Sequence, residues 1–132
     1  MINVKNEPST KTSNSNEIIQ VLNEMKTRGN LKGVLFANRN GDLIAENIEN
    51  NLDRNIFAAM CASVLESAED LRKNLSSKKL NKIIAELENS QTILMITCGD
   101  RTFLSFVLEK ESNIDQVLKN IDIYCKKILE NY

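Results

Sequence analysis

A chain of 132 residues, 42% hydrophobic and 27% charged, has room for one globular domain with a real core. Its 17 Lys and Arg against 18 Asp and Glu leave a net charge of −1, which argues against nucleic acid as the main partner, because phosphate neutralisation needs a basic excess. With no histidine anywhere, Ser-His-Asp and Cys-His nucleophile systems are excluded, and the commonest transition-metal ligand is missing.

Residues 1–15 are polar, carry the only proline and lack periodicity, so they read as a disordered tail ahead of a single domain over residues 16–132. A short helix follows. Asn14 with Glu17 forms a capping pattern, Ile18, Leu22 and Met25 make an apolar stripe, and Gly29 is available for the left-handed stop. Residues 33–46, GVLFANRNGDLIAE, place two apolar runs around Asn40-Gly41, the dipeptide suited to a type I′ hairpin turn. The first of these strands is apolar on both faces and reads as central. The second, with Glu46 and Asn47, reads as an edge.

Over residues 53–75 the period becomes helical, with Ile56, Met60, Val64, Ser67, Leu71 and Leu75 on one stripe, read as the core face. Ala58, Ala59, Ala62 and Ser63 fall on the other side. No charge occurs from Ile56 to Leu65, which is not how a helix with its back to water should look. Three strands are expected next: an edge strand over 80–87, then 92–98 and 102–108, both apolar on two faces. A last helix is expected from Ser112, with Asp115 completing a capping box, through Ile114, Val117, Leu118, Ile121, Cys125, Ile128 and Leu129. The fold class is therefore α+β, in the order α-β-β-α-β-β-β-α. A five-stranded antiparallel sheet carries the long helix (about 35 Å at 1.5 Å per residue) on one face and the terminal helices on the other.

This order resembles the Roadblock family, which includes the dynein light-chain Roadblock proteins, Ragulator subunits and bacterial and archaeal polarity regulators. The resemblance rests on GVLFANRNGDLIAE, on the small-residue helix FAAMCASVL and on ILMITCGDRTFLSFVLEKESNIDQVLKNI, and it spans about residues 17–131. It implies dimers, with itself or another Roadblock-like subunit, in which the long helices lie side by side and the sheets join at the edge strand after that helix. It also implies binding to a Ras-like small GTPase, as a scaffold or as a regulator that stimulates hydrolysis indirectly.

The residues themselves support a partner contact. Ala58, Ala59, Ala62 and Ser63, with Glu66 beside them, would let a second helix approach closely. Ile83 and Ala85 lie on the strand expected to be open. Glu69, Asp70 and Lys73 would give a polar rim for the GTPase.

Catalytic readings find little support. There is no GxxxxGK[ST] loop, no GxGxxG after a strand and no GxSxG elbow, so no catalytic, cofactor-binding or metal-binding residues are expected. Arg39 and Arg101 sit at hairpin turns, where solvation is the simpler role. Cys61, Cys98 and Cys125 are scattered in apolar contexts and read as reduced thiols of a cytoplasmic protein. No run reaches the roughly 18 apolar residues of a membrane helix.

Two other classes stand as alternatives. A PAS/GAF-like small-molecule sensor would need a cavity with convergent polar groups. The expected central strands offer Ile93, Met95, Phe103, Phe106 and Leu108 with only Thr97 and Ser105 polar, which favours a packed core. A longin-type trafficking adaptor is the second, and the helix before the first strand fits Roadblock better.

Overall fold

In the computed structural model, which describes residues 14–49 and 51–132, helix α1 (Ser15–Gly29) begins where the Asn14 side chain accepts the Glu17 amide at 3.4 Å. The tail expected over residues 1–15 lies outside the described residues except for its last two. The reciprocal half of the capping box does not form. Instead the Asn14 amide donates to the Asn131 carbonyl at 2.6 Å and ties the start of the domain to its end. Ile18, Val21, Leu22 and Met25 face inward, as the stripe requires.

The helix stops differently from the expectation. Asn30, not Gly29, takes the left-handed conformation (φ 50°, ψ 49°). Asparagine tolerates this region, and the Leu31 amide then reaches back to Lys26 O. Gly29 is there for space: a Cβ would lie 2.8 Å from Val117 Cγ2 and 2.9 Å from Leu31 Cδ2. Helix propensity alone would make Gly29→Ala stabilising by up to about 1 kcal/mol. Overpacking against the stiff, fully buried Val117 is expected to win and lower stability by about 1–2 kcal/mol. The check is a lower urea midpoint at unchanged m-value.

Strands β1 (Gly33–Asn38) and β2 (Leu43–Ile48) form the expected hairpin, though not on a type I′ turn. Only Gly41 has positive φ (93°). The Gly41 amide bonds Asn38 O at 2.9 Å, and Asn38 Oδ1 accepts the Asn40 and Asp42 amides, each at 3.0 Å. This is a tight turn followed by a left-handed glycine, and a bulge between Phe36 and Ala37 absorbs the extra residue. The Asn38 side chain selects it, a local hydrogen-bonding competition that the Asn-Gly pair alone does not reveal.

Helix α2 (Arg54–Leu75) is capped by the Asp53 carboxylate, which accepts the Asn55 and Ile56 amides at 3.1 Å. Then follow β3 (Ile83–Glu86), β4 (Thr92–Thr97) and β5 (Thr102–Leu108). All pairings are antiparallel, in the order β2-β1-β5-β4-β3, so the two-sided apolar strands are central, and β2 and β3 are the edges. β3 is shorter than the expected 80–87. Its pairing starts at Ile83 opposite Met95, while Leu80 leaves the sheet to pack toward α2.

The last helix is broken into α3 (Asp115–Leu118) and α4 (Ile121–Glu130). Ser112 is not its cap: the hydroxyl donates to Asn30 O at 2.7 Å and accepts the Glu109 amide at 3.0 Å. The break at Lys119-Asn120 lets Val117 pack on Gly29 while Tyr124 and Ile128 reach the sheet. Two cores result. Leu22, Phe36, Leu104, Phe106 and Ile128 fill the layer under α1, α3 and α4. Leu35, Cys61, Leu65, Met95 and Phe103 fill the layer under α2.

Candidate interaction surface

Helix α2 meets the sheet with small side chains. Ala58, Cys61, Ala62 and Leu65 are buried, because Leu35, Met95 and Phe103 already fill that layer from the sheet side and leave little room for the helix. Apart from Leu65, which is buried, and Phe57, which packs partly against this core, the large apolar residues point away. Ile56, Met60, Val64, Leu71 and Leu75 are 46 to 85% exposed and form a stripe nearly the length of the helix, at the 100° spacing of one face. Ala59, Ser63 and Ser67 lie along the same face and are exposed.

This corrects the sequence reading in one respect. Ala58 and Ala62 are core residues of the chain's own domain, not partner contacts, and the stripe assigned to the core is the outward surface. Ala59, Ser63 and Glu66 remain outward.

The two sheet edges differ. At the end of β2 the Ile48 amide donates to Glu46 Oε1 at 2.9 Å, Arg54 Nη2 donates to Ile48 O at 2.6 Å, and the Glu46–Arg54 pair closes at 3.0 Å. Lys26 bridges Asn47 Oδ1 at 3.1 Å and Glu49 at 2.9 Å, and holds the Glu49 carboxyl below the usual carboxylate range. Polar side chains thus occupy the Ile48 backbone groups at the end of that edge. Among the described residues no strand pairs with the outer side of β3, and Ile84 and Leu87 are about half exposed beside it. Ala85 is exposed there, whereas the Ile83 side chain is half-buried against the α2 core.

Farther along α2, Glu69 receives two arginines: Arg72 Nε at 3.0 Å and Arg39 Nη1, from the β1–β2 turn, at 3.5 Å. The Arg39 amide also donates to Arg101 O at 2.9 Å, which ties the two hairpin turns together. Lys73 stands near this node, and Asp70 is exposed on the next part of the helix surface. Of the five arginines, Arg101 has no side-chain partner among the described residues; Arg28 pairs with Glu24 at 3.6 Å and Arg54 with Glu46.

All three cysteines are free. Burial pushes the Cys61 thiol up, partly offset by Ser105 Oγ at 3.6 Å, and contact with Cys125 together with burial pushes Cys98 up. Such thiols are poor nucleophiles. Among the described residues no group of three or more His, Cys, Asp or Glu side chains is placed to hold a metal ion, and no helix is long and apolar enough to cross a membrane.

Comparison with known proteins decides the family. The sequence model of the Roadblock/LC7 domain matches residues 17–108, from the first turn of α1 to the end of β5. The chain belongs to the Roadblock/LC7 domain family. Solved Roadblock-type structures follow it almost end to end. MglB of Myxococcus xanthus matches with a TM-score of 0.80 at 18% identity over 93% of this chain and 92% of that one. The gliding protein MglB of Thermus thermophilus matches at 0.78 and 13%, over 94% and 92%. An MglB in a tetrameric arrangement matches at 0.79 and 14%, over 94% and 91%. At these identities the likeness establishes the shared fold. No curated protein sequence matches the chain. Among the described residues of this Roadblock domain, the outward stripe of α2 and the outer edge of β3 are left uncovered.

Proposed function

We propose that this Roadblock domain is a non-catalytic, cytoplasmic dimeric scaffold that binds a Ras-like small GTPase and, where it stimulates hydrolysis, does so indirectly. The observation that carries the reading is the outward stripe Ile56, Met60, Val64, Leu71 and Leu75. A face of that size and composition is costly to leave in water and fits a second α2 laid beside it. Ala59, Ser63 and Ser67 between the large side chains allow close approach, and the open β3 edges would extend the sheet across the pair. The tetrameric MglB arrangement supports self-association of the fold.

GTPase binding rests on the family resemblance and on the surface the paired helices would present, an apolar centre with Glu66, Asp70 and Lys73 at its margin. Four of the five arginines are held by carboxylates, which disfavours an inserted finger and favours ordering of the GTPase's own switch segments.

The test is affinity purification with the full chain in the presence of GDP or a non-hydrolysable GTP analogue. Reconstitution with the purified GTPase and a hydrolysis assay follow. A nucleotide-dependent complex is expected, together with less than about tenfold change in hydrolysis for Arg101→Ala. A loss of about 10³-fold for that variant, the size of a missing finger, would overturn the indirect mechanism. Absence of any GTPase would overturn the partner.

A further inference from the structure

The second half of α2, the β1–β2 turn, the β4–β5 turn and the segment after α2 frame an open cavity of about 470 Å³, inside the range of small-ligand sites. Four cations line it, Arg39, Arg72, Lys73 and Lys79, against two carboxylates, Glu69 and Asp100. That is a local basic excess on a chain whose net charge is −1.

Both Glu69 oxygens are engaged: Oε2 takes Arg39 and Oε1 takes Arg72. One carboxylate neutralises one guanidinium, so it orients the pair and leaves positive charge over. Arg39 Nε is buried and has no hydrogen-bond partner among the described residues, so the Arg39 donors open to a ligand are those at the end of its guanidinium. Arg72 is held further by a bond from Nη1 to Lys78 O at 3.2 Å, so its plane is fixed. Lys73 and Lys79 have no ion pair among the described residues, although they flank the same space. Thr97 adds a hydroxyl, and only Leu80 is apolar.

From this we infer that the cavity is a binding site for a phosphate-bearing small ligand, a phosphomonoester or pyrophosphate group. The N–H groups that the two oriented guanidiniums have left over can donate to phosphate oxygens, and the ammonium groups of Lys73 and Lys79 add compact charge with rotatable donors. A carboxylate is a weaker candidate because it brings one charge to a surplus of two. The inference does not rest on the GTPase reading: no residue of the outward stripe lines the cavity, and Lys73 alone is shared with the rim proposed for that partner.

Calorimetry of the full chain with inorganic pyrophosphate at constant ionic strength tests it. Saturable binding of one pyrophosphate per chain is expected. The double variant Lys73→Ala/Lys79→Ala removes no ion pair of the described fold and is expected to lose at least about tenfold in affinity. Lys126→Ala/Lys127→Ala, the same charge change on exposed α4 positions, is expected to keep it. Cosedimentation with vesicles containing phosphatidic acid separates a free phosphate ligand from a lipid headgroup, since only a headgroup ligand carries the chain down in a manner the first double variant abolishes. Absence of saturable heat, or equal losses in both double variants, overturns the site. So does tight binding of a hexaglutamate peptide that pyrophosphate cannot displace, which would make the cavity a dock for an acidic protein segment.

Discussion

Met60→Glu combined with Val64→Glu is expected to leave the domain folded and to convert a dimer into a monomer. Both side chains are exposed in the single chain, Met60 by 63% and Val64 by 46%, so glutamate there meets water and costs the fold little. In a pair of α2 helices the same positions are covered. Two carboxylates per chain would then be buried without partners and set against their symmetry mates, a penalty of several kcal/mol. About 4 kcal/mol already weakens association about a thousandfold. Sedimentation equilibrium at micromolar concentration, with a circular-dichroism melt on the same sample, reads both quantities. A monomeric unmodified chain at high micromolar concentration would remove the dimer, and a double variant that still dimerises would move the interface off this stripe.

Much of the architecture is legible in the residues because each strand signals its own neighbours. Leu35 and Phe36 are apolar on both faces and β1 is central; Glu46 and Asn47 mark β2 as an edge; Thr102–Leu108 is fully buried between β1 and β4. What is not legible depends on side chains acting at a distance or on competing local bonds. The Asn38 carboxamide decides the turn that Asn40-Gly41 suggests otherwise, and Val117 lying on Gly29 explains a glycine that looks like a helix stop. The broken C-terminal helix follows from two packing targets at its two ends, which a single hydrophobic period does not separate.

The candidate interaction surface is half legible. Ten residues without charge, Ile56 to Leu65, signal that α2 has no polar back there, whichever face meets the sheet. Their sizes do not say which face meets the sheet, because a stripe of large apolar residues fits a core and an interface equally well. The sheet decides it: Leu35, Met95 and Phe103 occupy the layer, so alanines must come down upon them. The pairing of Arg39 with Glu69, 30 residues apart in the chain, carries no sequence signal, since it depends on how a hairpin turn lands on a helix.

The orientation of α2 can be measured at two adjacent positions. Ala58 is fully buried, while Ala59 is exposed on the side of the stripe, one step of about 100° around the helix. Ala58→Arg would push a guanidinium into an apolar layer where no carboxylate awaits it. Overpacking and an unpaired buried charge together are expected to cost about 3–5 kcal/mol, a large part of a typical domain stability of roughly 5–15 kcal/mol. Ala59→Arg leaves the core alone, so its melting curve should stay close to that of the unmodified monomer. Its charge falls instead between the paired helices and is expected to weaken dimerisation. The two substitutions change charge and volume identically, so helix propensity and bulk electrostatics cancel between them. If the large stripe faced the sheet instead, the order would reverse: Ala58→Arg would be tolerated and Met60→Glu would unfold the chain. Urea unfolding of Ala58→Arg and Ala59→Arg under the same conditions, with Met60→Glu as the third curve, distinguishes the two orientations by which variant loses its transition.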